Sequence, residues 1–137
     1  MAGIYTKTTT LAQKSLDFRS KRHDLLSSNV ANMSTPGYQA EDMVFESTLA
    51  AAMNADQPGP LKTNNPRHLD GKTAPPLELA QAQRIRSANP NPSENGNTVD
   101  LDREMAKIAE NQMMYNASLR MLQHEFRMLK TAITEGR

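Results

Sequence analysis

A chain of 137 residues is the length of one domain, yet with 37% hydrophobic residues, no Trp and three Phe it has little with which to fill a compact core, so part of its burial must come from neighbouring molecules. Sixteen basic and fifteen acidic side chains, spread as about +3 over residues 1–33, −2 over 34–99 and 0 over 100–137, exclude the clustered Lys and Arg that a nucleic acid partner requires. The absence of Cys excludes disulfides, thiolate chemistry and Cys-ligated metals, and no apolar run approaches the roughly 18 residues of a membrane span. The N-terminus lacks an apolar signal core, so export from the cytoplasm would not follow the ordinary secretory route.

All eight prolines and four of the six glycines lie between Pro36 and Gly96, so the two ends read as helices and the middle as loop. From about Thr10 to Met33 the residues Leu11, Ala12, Leu16, Phe18, Leu25, Leu26, Val30 and Met33 cover about half of a helical wheel. Arg19, Arg22 and His23 interrupt that face, and the expectation is that their stems pack while their charged tips reach outward. The helix should stop near Met33, where Ser34-Thr35-Pro36-Gly37-Tyr38 places Pro and Gly at the two central positions of a type II turn.

Residues 39–57 are ambiguous: Asp42–Phe45 reads as a short strand and Glu46–Met53 as about two helical turns. Beyond them, turn signals at 57–60, 64–66, 74–76 and 89–93 recur too often for a long element, so short β pieces and loops are expected. Glu94-Asn-Gly-Asn97 is a further turn. Thr98 or Asp100 is a natural N-cap for the last helix, with Asp102 and Glu104 in its first turn facing the positive end of the dipole.

The C-terminal segment carries the clearest physical signal. Leu101, Met105, Ile108, Gln112, Tyr115, Leu119, Leu122, Phe126, Leu129 and Ile133 follow an unbroken 4,3,4,3 spacing, which is a heptad packing seam with Gln112 its one polar member. Met114, Met121 and Met128 form a second stripe at the heptad c position, which a simple two-stranded coil would leave in water, so this helix is expected to touch several neighbours. One chain supplies only one interrupted partner helix for all this surface. The two helices are therefore expected to be largely unfolded in the isolated subunit and ordered by assembly.

Candidates for chemistry are few. His23, His68 and His124 lack metal-ligand spacing and read as surface histidines, so no metal site is expected. Glu41-Asp42 reads as a solvated face, and Asp17–Lys21 and Glu104–Lys107 read as helix-surface ion pairs. No phosphate loop or nucleophilic triad is present, so neither catalysis nor a cofactor is expected. Asn29 and Asn32, three apart on one face just before the turn, have amides placed to bond free carbonyls of the last turn or nearby backbone.

The segment Ser28-Asn29-Val30-Ala31-Asn32-Met33-Ser34-Thr35-Pro36-Gly37-Tyr38 resembles the N-terminal signature shared by the axial proteins of bacterial flagella: rod, hook and hook-associated subunits. Met33-Ser34 stands where Ala-Asp is common in that family. Gly96-Asn97-Thr98-Val99-Asp100, followed by Leu101-Asp102-Arg103-Glu104-Met105 and by Asn111 and Tyr115, is similar to proximal-rod subunits of the B type, as is a length that leaves no room for a large inserted β domain. The resemblance covers about residues 10–45 and 94–135. It implies a mainly α fold in which residues 1–35 and 100–137 pack as a coiled-coil axial domain and residues 36–99 form a small, partly β outer region. It further implies unfolded export through the flagellar type III apparatus and assembly in the proximal rod on the periplasmic side of the inner membrane. Partners would be copies of the chain, other rod proteins, the rod/MS-ring junction protein, the MS ring and the export gate. Two competing readings are a rod subunit of the C type, which Gly96–Asp100 disfavours, and a cytoplasmic helical adaptor or chaperone, which would not need the Thr-Pro-Gly-Tyr turn.

Overall fold

The computed structural model describes residues 2–54, 77–87 and 93–135. His68, the turn signals at 57–60, 64–66 and 74–76, and most of that at 89–93 lie outside the described residues. In chain order come α1 (Ala2–Ala31), β1 (Glu41–Val44), α2 (Glu46–Asn54), a single 3₁₀ turn (Leu77–Leu79), β2 (Gln83–Arg86) and α3 (Leu101–Glu135). The fold is mainly α, with long terminal helices and a small middle that carries two strands. At 1.5 Å per residue the 30 residues of α1 and the 35 of α3 run about 45 and 52 Å.

Helix α1 begins eight residues before the expected start. Ordinary residues cost at most about 0.7 kcal/mol each relative to Ala inside a helix, so the Thr8–Thr10 run is too weak a penalty to break one that lies along a partner. Helix α1 ends two residues before the expected stop. Its last turn tightens through Asn32 N–H, which bonds both Ser28 O and Asn29 O at 3.1 Å, and Met33 N–H, which bonds Val30 O at 3.2 Å. The turn follows as read: Tyr38 N–H reaches Thr35 O at 3.3 Å, and Gly37 has φ +70°, the conformation that a type II turn requires at its third residue.

The two long helices run antiparallel. Asn29 faces Glu104, Arg19 O accepts from Asn111 Nδ2 at 2.8 Å, and the Ser15 and Ser118 hydroxyls lie 3.4 Å apart. The second layer of the molecule lies on another face of α1. Here β1 and β2 pair antiparallel, with Glu41 opposite Arg86 and Val44 opposite Gln83, and the buried cluster joins Phe18 of α1 to Met43, Phe45, Leu49, Ala52 and Ala80. Leu11 and Leu25 of α1 pack against that cluster. The buried apolar cluster thus lies between α1 and the middle region, whereas the α1–α3 contact mixes polar and apolar side chains.

Two basic residues of α1 depart from expectation for the same reason. Arg22 does not reach outward: its guanidinium turns onto the Asp42 carboxylate, Nε to Oδ1 at 2.8 Å and a terminal nitrogen to Oδ2 at 3.1 Å. Arg19 lies with its guanidinium carbon 5.3 Å from the centre of the Phe45 ring, which itself meets Phe18 at 5.5 Å. A buried carboxylate and an aromatic face compete with water for these cations. Burial lowers the pKa of the Arg19 guanidinium, with smaller opposing influences from Glu46 and Glu110.

Phe45 is the hub of this layer. Phe45→Ala should cost about 3–5 kcal/mol in denaturant unfolding, and Phe45→Leu clearly less, because only the alanine leaves a cavity under both Phe18 and Arg19. A loss under 1 kcal/mol for the alanine variant, read from the midpoint shift at constant slope, would contradict this packing.

Candidate functional site: a clasp between two motifs and an exposed helix face

The two sequence motifs, some 60 residues apart, meet at the junction of α1, β1 and α3. Asn29 is its centre and is 0% exposed. Its Nδ2 donates to Glu41 O at 2.7 Å and to Glu104 Oε2 at 2.8 Å. Its Oδ1 accepts from Glu41 N–H at 3.1 Å and from the Tyr38 hydroxyl at 3.3 Å. Both donors and both acceptor positions of the amide are used, so this one side chain mimics a neighbouring strand for β1 while gripping the first turn of α3.

Asn97 does the reciprocal work from the second motif. Its Nδ2 lies 2.9, 3.0 and 2.8 Å from Asn32 O, Met33 O and Thr35 O, carbonyls of the turn that follows α1, and its Oδ1 accepts from Val99 N–H at 2.7 Å. Around it, Gly37 N–H donates to Asn95 O at 2.9 Å, Thr98 N–H to Tyr38 O at 3.0 Å, and Ala40 N–H to Thr98 Oγ1 at 2.8 Å. Gly96, at φ +77°, is the second left-handed glycine, and a Cβ built on it would stand 3.8 Å from Gly37 Cα. That distance is ordinary contact, so the requirement for Gly comes from the backbone conformation. Asp100 caps α3, its Oδ1 accepting from Arg103 N–H at 3.3 Å and its carbonyl from Glu104 N–H at 2.9 Å.

The other motif residues support this junction. Asn32 Nδ2 returns to Ser28 O at 2.9 Å, and Thr35 Oγ1 donates to Asn32 Oδ1 at 3.2 Å. The Ser28 hydroxyl lies 3.5 Å from the Tyr38 hydroxyl, while Ala31 and Pro36 are exposed.

Below the clasp lies a charge network that reading the sequence assigned to the surface. Glu104, 2% exposed, accepts from Lys107 Nζ at 2.8 Å, and Lys107 also stands 3.4 Å from Asp42 Oδ2 and bonds the Ser87 hydroxyl at 3.0 Å. Asp42 is buried, contrary to the solvated face expected for Glu41-Asp42, and Glu104–Lys107 is an interior pair. His23 is half-buried, with Nδ1 unpartnered, and only His124 is an exposed histidine among the described residues. For the charged residues the physical reason is common. Polar groups of α1, β1 and α3 meet at this junction, which buries Asp42, Glu104 and Lys107 while leaving each a partner. Two spacings carry the signal: Arg22 and Asn29, and Glu104 and Asn111, each sit seven residues apart on one helical stripe.

Burial pushes the Asp42 carboxyl up, but the Arg22 hydrogen bonds, the Met43 amide and the charges of Arg22 and Lys107 outweigh it and hold the carboxyl below its ordinary 3.8. The Arg22 guanidinium is raised by its hydrogen bond to Asp42 against a smaller desolvation cost.

The heptad seam lies elsewhere on α3. Towards α1 face Glu104, Ile108, Asn111, Tyr115, Ser118, Leu122, Glu125 and Leu129, all buried or half-buried, so only every second seam residue (Ile108, Tyr115, Leu122, Leu129) enters the contact within one chain. Of the alternating set, Gln112 is exposed, Leu119 half-buried, and Met105, Phe126 and Ile133 are 52%, 52% and 76% exposed. Leu101, Met114, Met121 and Met128 are exposed as well. The seam is therefore split: part of it serves the subunit, and part forms an exposed flank on the opposite side of the α1 contact from the methionine stripe.

Two measurements test the clasp. Because the Asp42 pKa is lowered in the folded state, its stabilisation is complete above about pH 4 and is lost as pH falls from 3.8 through the lowered folded value. Asp42→Asn should be less stable at neutral pH and lose less on acidification across that window, and parallel stability curves for variant and parent would refute the pairing. Gly37→Val and Gly96→Val should each cost about 1–3 kcal/mol, whereas Asn at either position should cost less, because Asn tolerates positive φ.

Comparison with known proteins shows the family of the chain. A family model described as "Flagella basal body rod protein" matches residues 4–39, which span α1 and the Pro36-Gly37 turn. Flagellar basal body rod protein FlgB of Yersinia enterocolitica is 34% identical over 128 residues, covering 90% of this chain and 91% of that protein. The FlgB of Escherichia coli K12 is 33% identical with the same coverage, and that of Cereibacter sphaeroides is 36% identical over 133 residues, covering 97% of this chain and 98% of that one. With relatives above 30% identity aligned along nine-tenths or more of its length, a fold of two long terminal helices and a clasp built from both motifs, the chain belongs to the FlgB family of flagellar basal body rod proteins.

Proposed function

We propose that this structural rod subunit builds the proximal rod, the tubular shaft near the MS ring and export gate, by packing the outer faces of its terminal helices against copies of itself and other rod proteins. The rod/MS-ring junction protein, the MS ring and the export gate are its further neighbours. Export occurs in the unfolded state through the flagellar type III apparatus, and the subunit acts by contact and not by catalysis. Family membership supports a place in the basal body, and no helix among the described residues is long and apolar enough to cross a membrane.

The single observation that carries this reading is the apolar exposure on both flanks of α3. Met105, Phe126 and Ile133 on one side of the α1 contact, and Met114, Met121 and Met128 on the other, about 160° round the helix, leave apolar side chains in water along most of the helix. Such exposure on two sides marks interaction surfaces. Methionine suits a face that meets non-identical neighbours, because its unbranched side chain adapts to different partners.

Phe126→Glu separates assembly from folding. The isolated subunit should keep its unfolding midpoint to within about 0.5 kcal/mol, since the side chain touches solvent there, while cells carrying the variant lose swimming and their basal bodies lack an assembled rod. Normal motility with a complete rod would contradict the proposal.

A further inference from the structure

A basic groove of about 750 Å³ lies where α1 passes the exposed side of the two-stranded sheet. Its floor is apolar, formed by Phe18, Leu25 and Met43, and its rim carries Lys14, Lys21 and Arg84 against the one carboxylate of Asp24. The Asp17–Lys21 pair expected from helical spacing does not form. Neither Lys14 nor Lys21 makes an ion pair among the described residues, and Arg84 has only a loose contact to Glu41 at 3.9 Å.

The backbone beside this groove is open. Ser87 N–H bonds Ala40 O at 2.8 Å, which makes that pair a hydrogen-bonded one. By the alternation of an antiparallel ladder, Asp42–Ile85 and Val44–Gln83 are the next such pairs, so the N–H and C=O groups of Glu41, Arg84 and Arg86 point away from the ladder. The Glu41 groups confirm the alternation, since the Asn29 amide takes both of them. On β2 no equivalent side chain covers the edge, and the outward groups of Arg84 and Arg86 have no partner among the described residues. Arg84 lies opposite Met43 and so projects from the same face of the sheet as that floor residue.

We propose that β2 and this groove form a docking site for an extended acidic segment of another protein, which adds as a third strand and places an apolar side chain on the Phe18–Leu25–Met43 floor. The charge balance selects the occupant: two unpaired lysines and an arginine against one aspartate favour carboxylates. Lys14 and Lys21 are seven residues or about 10 Å apart along α1, close to the roughly 13 Å between residues i and i+4 of a strand, whose side chains share a face. The recognised pattern is therefore two carboxylates bracketing an apolar residue at alternate positions. Main-chain bonds to Arg84 and Arg86 supply affinity and the groove supplies specificity. The site uses no residue of α3, so its failure would leave the helical assembly proposal untouched.

The test titrates the full chain into the fluorescein-labelled peptide acetyl-Thr-Asp-Thr-Leu-Thr-Asp-Thr-amide, followed by fluorescence anisotropy. The peptide should bind, and the double variant Lys14→Glu, Lys21→Glu should weaken it about tenfold or more, with the loss shrinking at high salt. A peptide with Lys in place of both Asp residues should not bind. N-methylation of the peptide amides that would face β2 should abolish binding while leaving side chains and charge unchanged. No binding of the acidic peptide at millimolar concentration, equal binding of the Lys peptide, or undiminished binding of the N-methylated peptide would each overturn the proposal.

Discussion

One buried amide sets the geometry of this molecule. Asn29 sits on the last turns of α1 with every hydrogen-bonding position filled, by the backbone of β1, by Tyr38 and by Glu104 of α3. A displacement of any of these elements would strand a buried polar group, at a cost of about 1–3 kcal/mol and more where the partner is charged. The amide thus fixes the distance at which the sheet begins and the point at which α3 starts back along α1. Asn97 closes the same joint from the other side by holding the carbonyls of the turn that follows α1. Neither contact survives a change of register, and this is the specificity that apolar packing alone does not provide.

The division of labour between polar and apolar surface follows from that joint. Within the subunit the register of the two long helices is set by Asn29, Glu104, Asn111 and Ser118, with Ile108, Tyr115, Leu122 and Leu129 packed between them, while the largest buried apolar cluster lies between α1 and the middle region around Phe45. The other large apolar residues of α3 are left exposed on its two flanks. A chain with so few aromatic residues would waste them if it spent these flanks on a self-contained bundle. The proposed assembly would give these residues neighbouring helices to meet.

The long elements were legible in the sequence because their signals are local. The heptad spacing of α3, the absence of proline from both ends and the Pro36-Gly37 turn each depend on residues a few positions apart. The short strand at Asp42–Phe45 and the helical turns after it were readable for the same reason. Interior charges were not. Arg22, Asp42, Glu104 and Lys107 look like ordinary surface residues until the fold links them by contacts of 3.4 Å or less, and no local rule marks a carboxylate whose partners lie 20 and 65 positions away. Nor did periodicity show which half of the seam faces α1, because a heptad pattern records apolar positions without saying which neighbour covers them. Nor did the sequence show that α1 lies between α3 and the middle layer, so that its burial has two sources.

The central claim, that the two sequence motifs act first as a clasp within one subunit, is tested most directly by a double-mutant cycle on Asn29 and Glu104. Asn29→Ala, Glu104→Ala and the double variant would be unfolded by denaturant as dilute monomers, with monomer state checked by sedimentation. A hydrogen bond between a buried amide and a buried carboxylate should give a coupling of about 1.5–3 kcal/mol, so the double variant should lose much less than the sum of the single losses. Additive losses, with no coupling in the monomer, would mean that these residues do not hold the subunit together and would contradict the account.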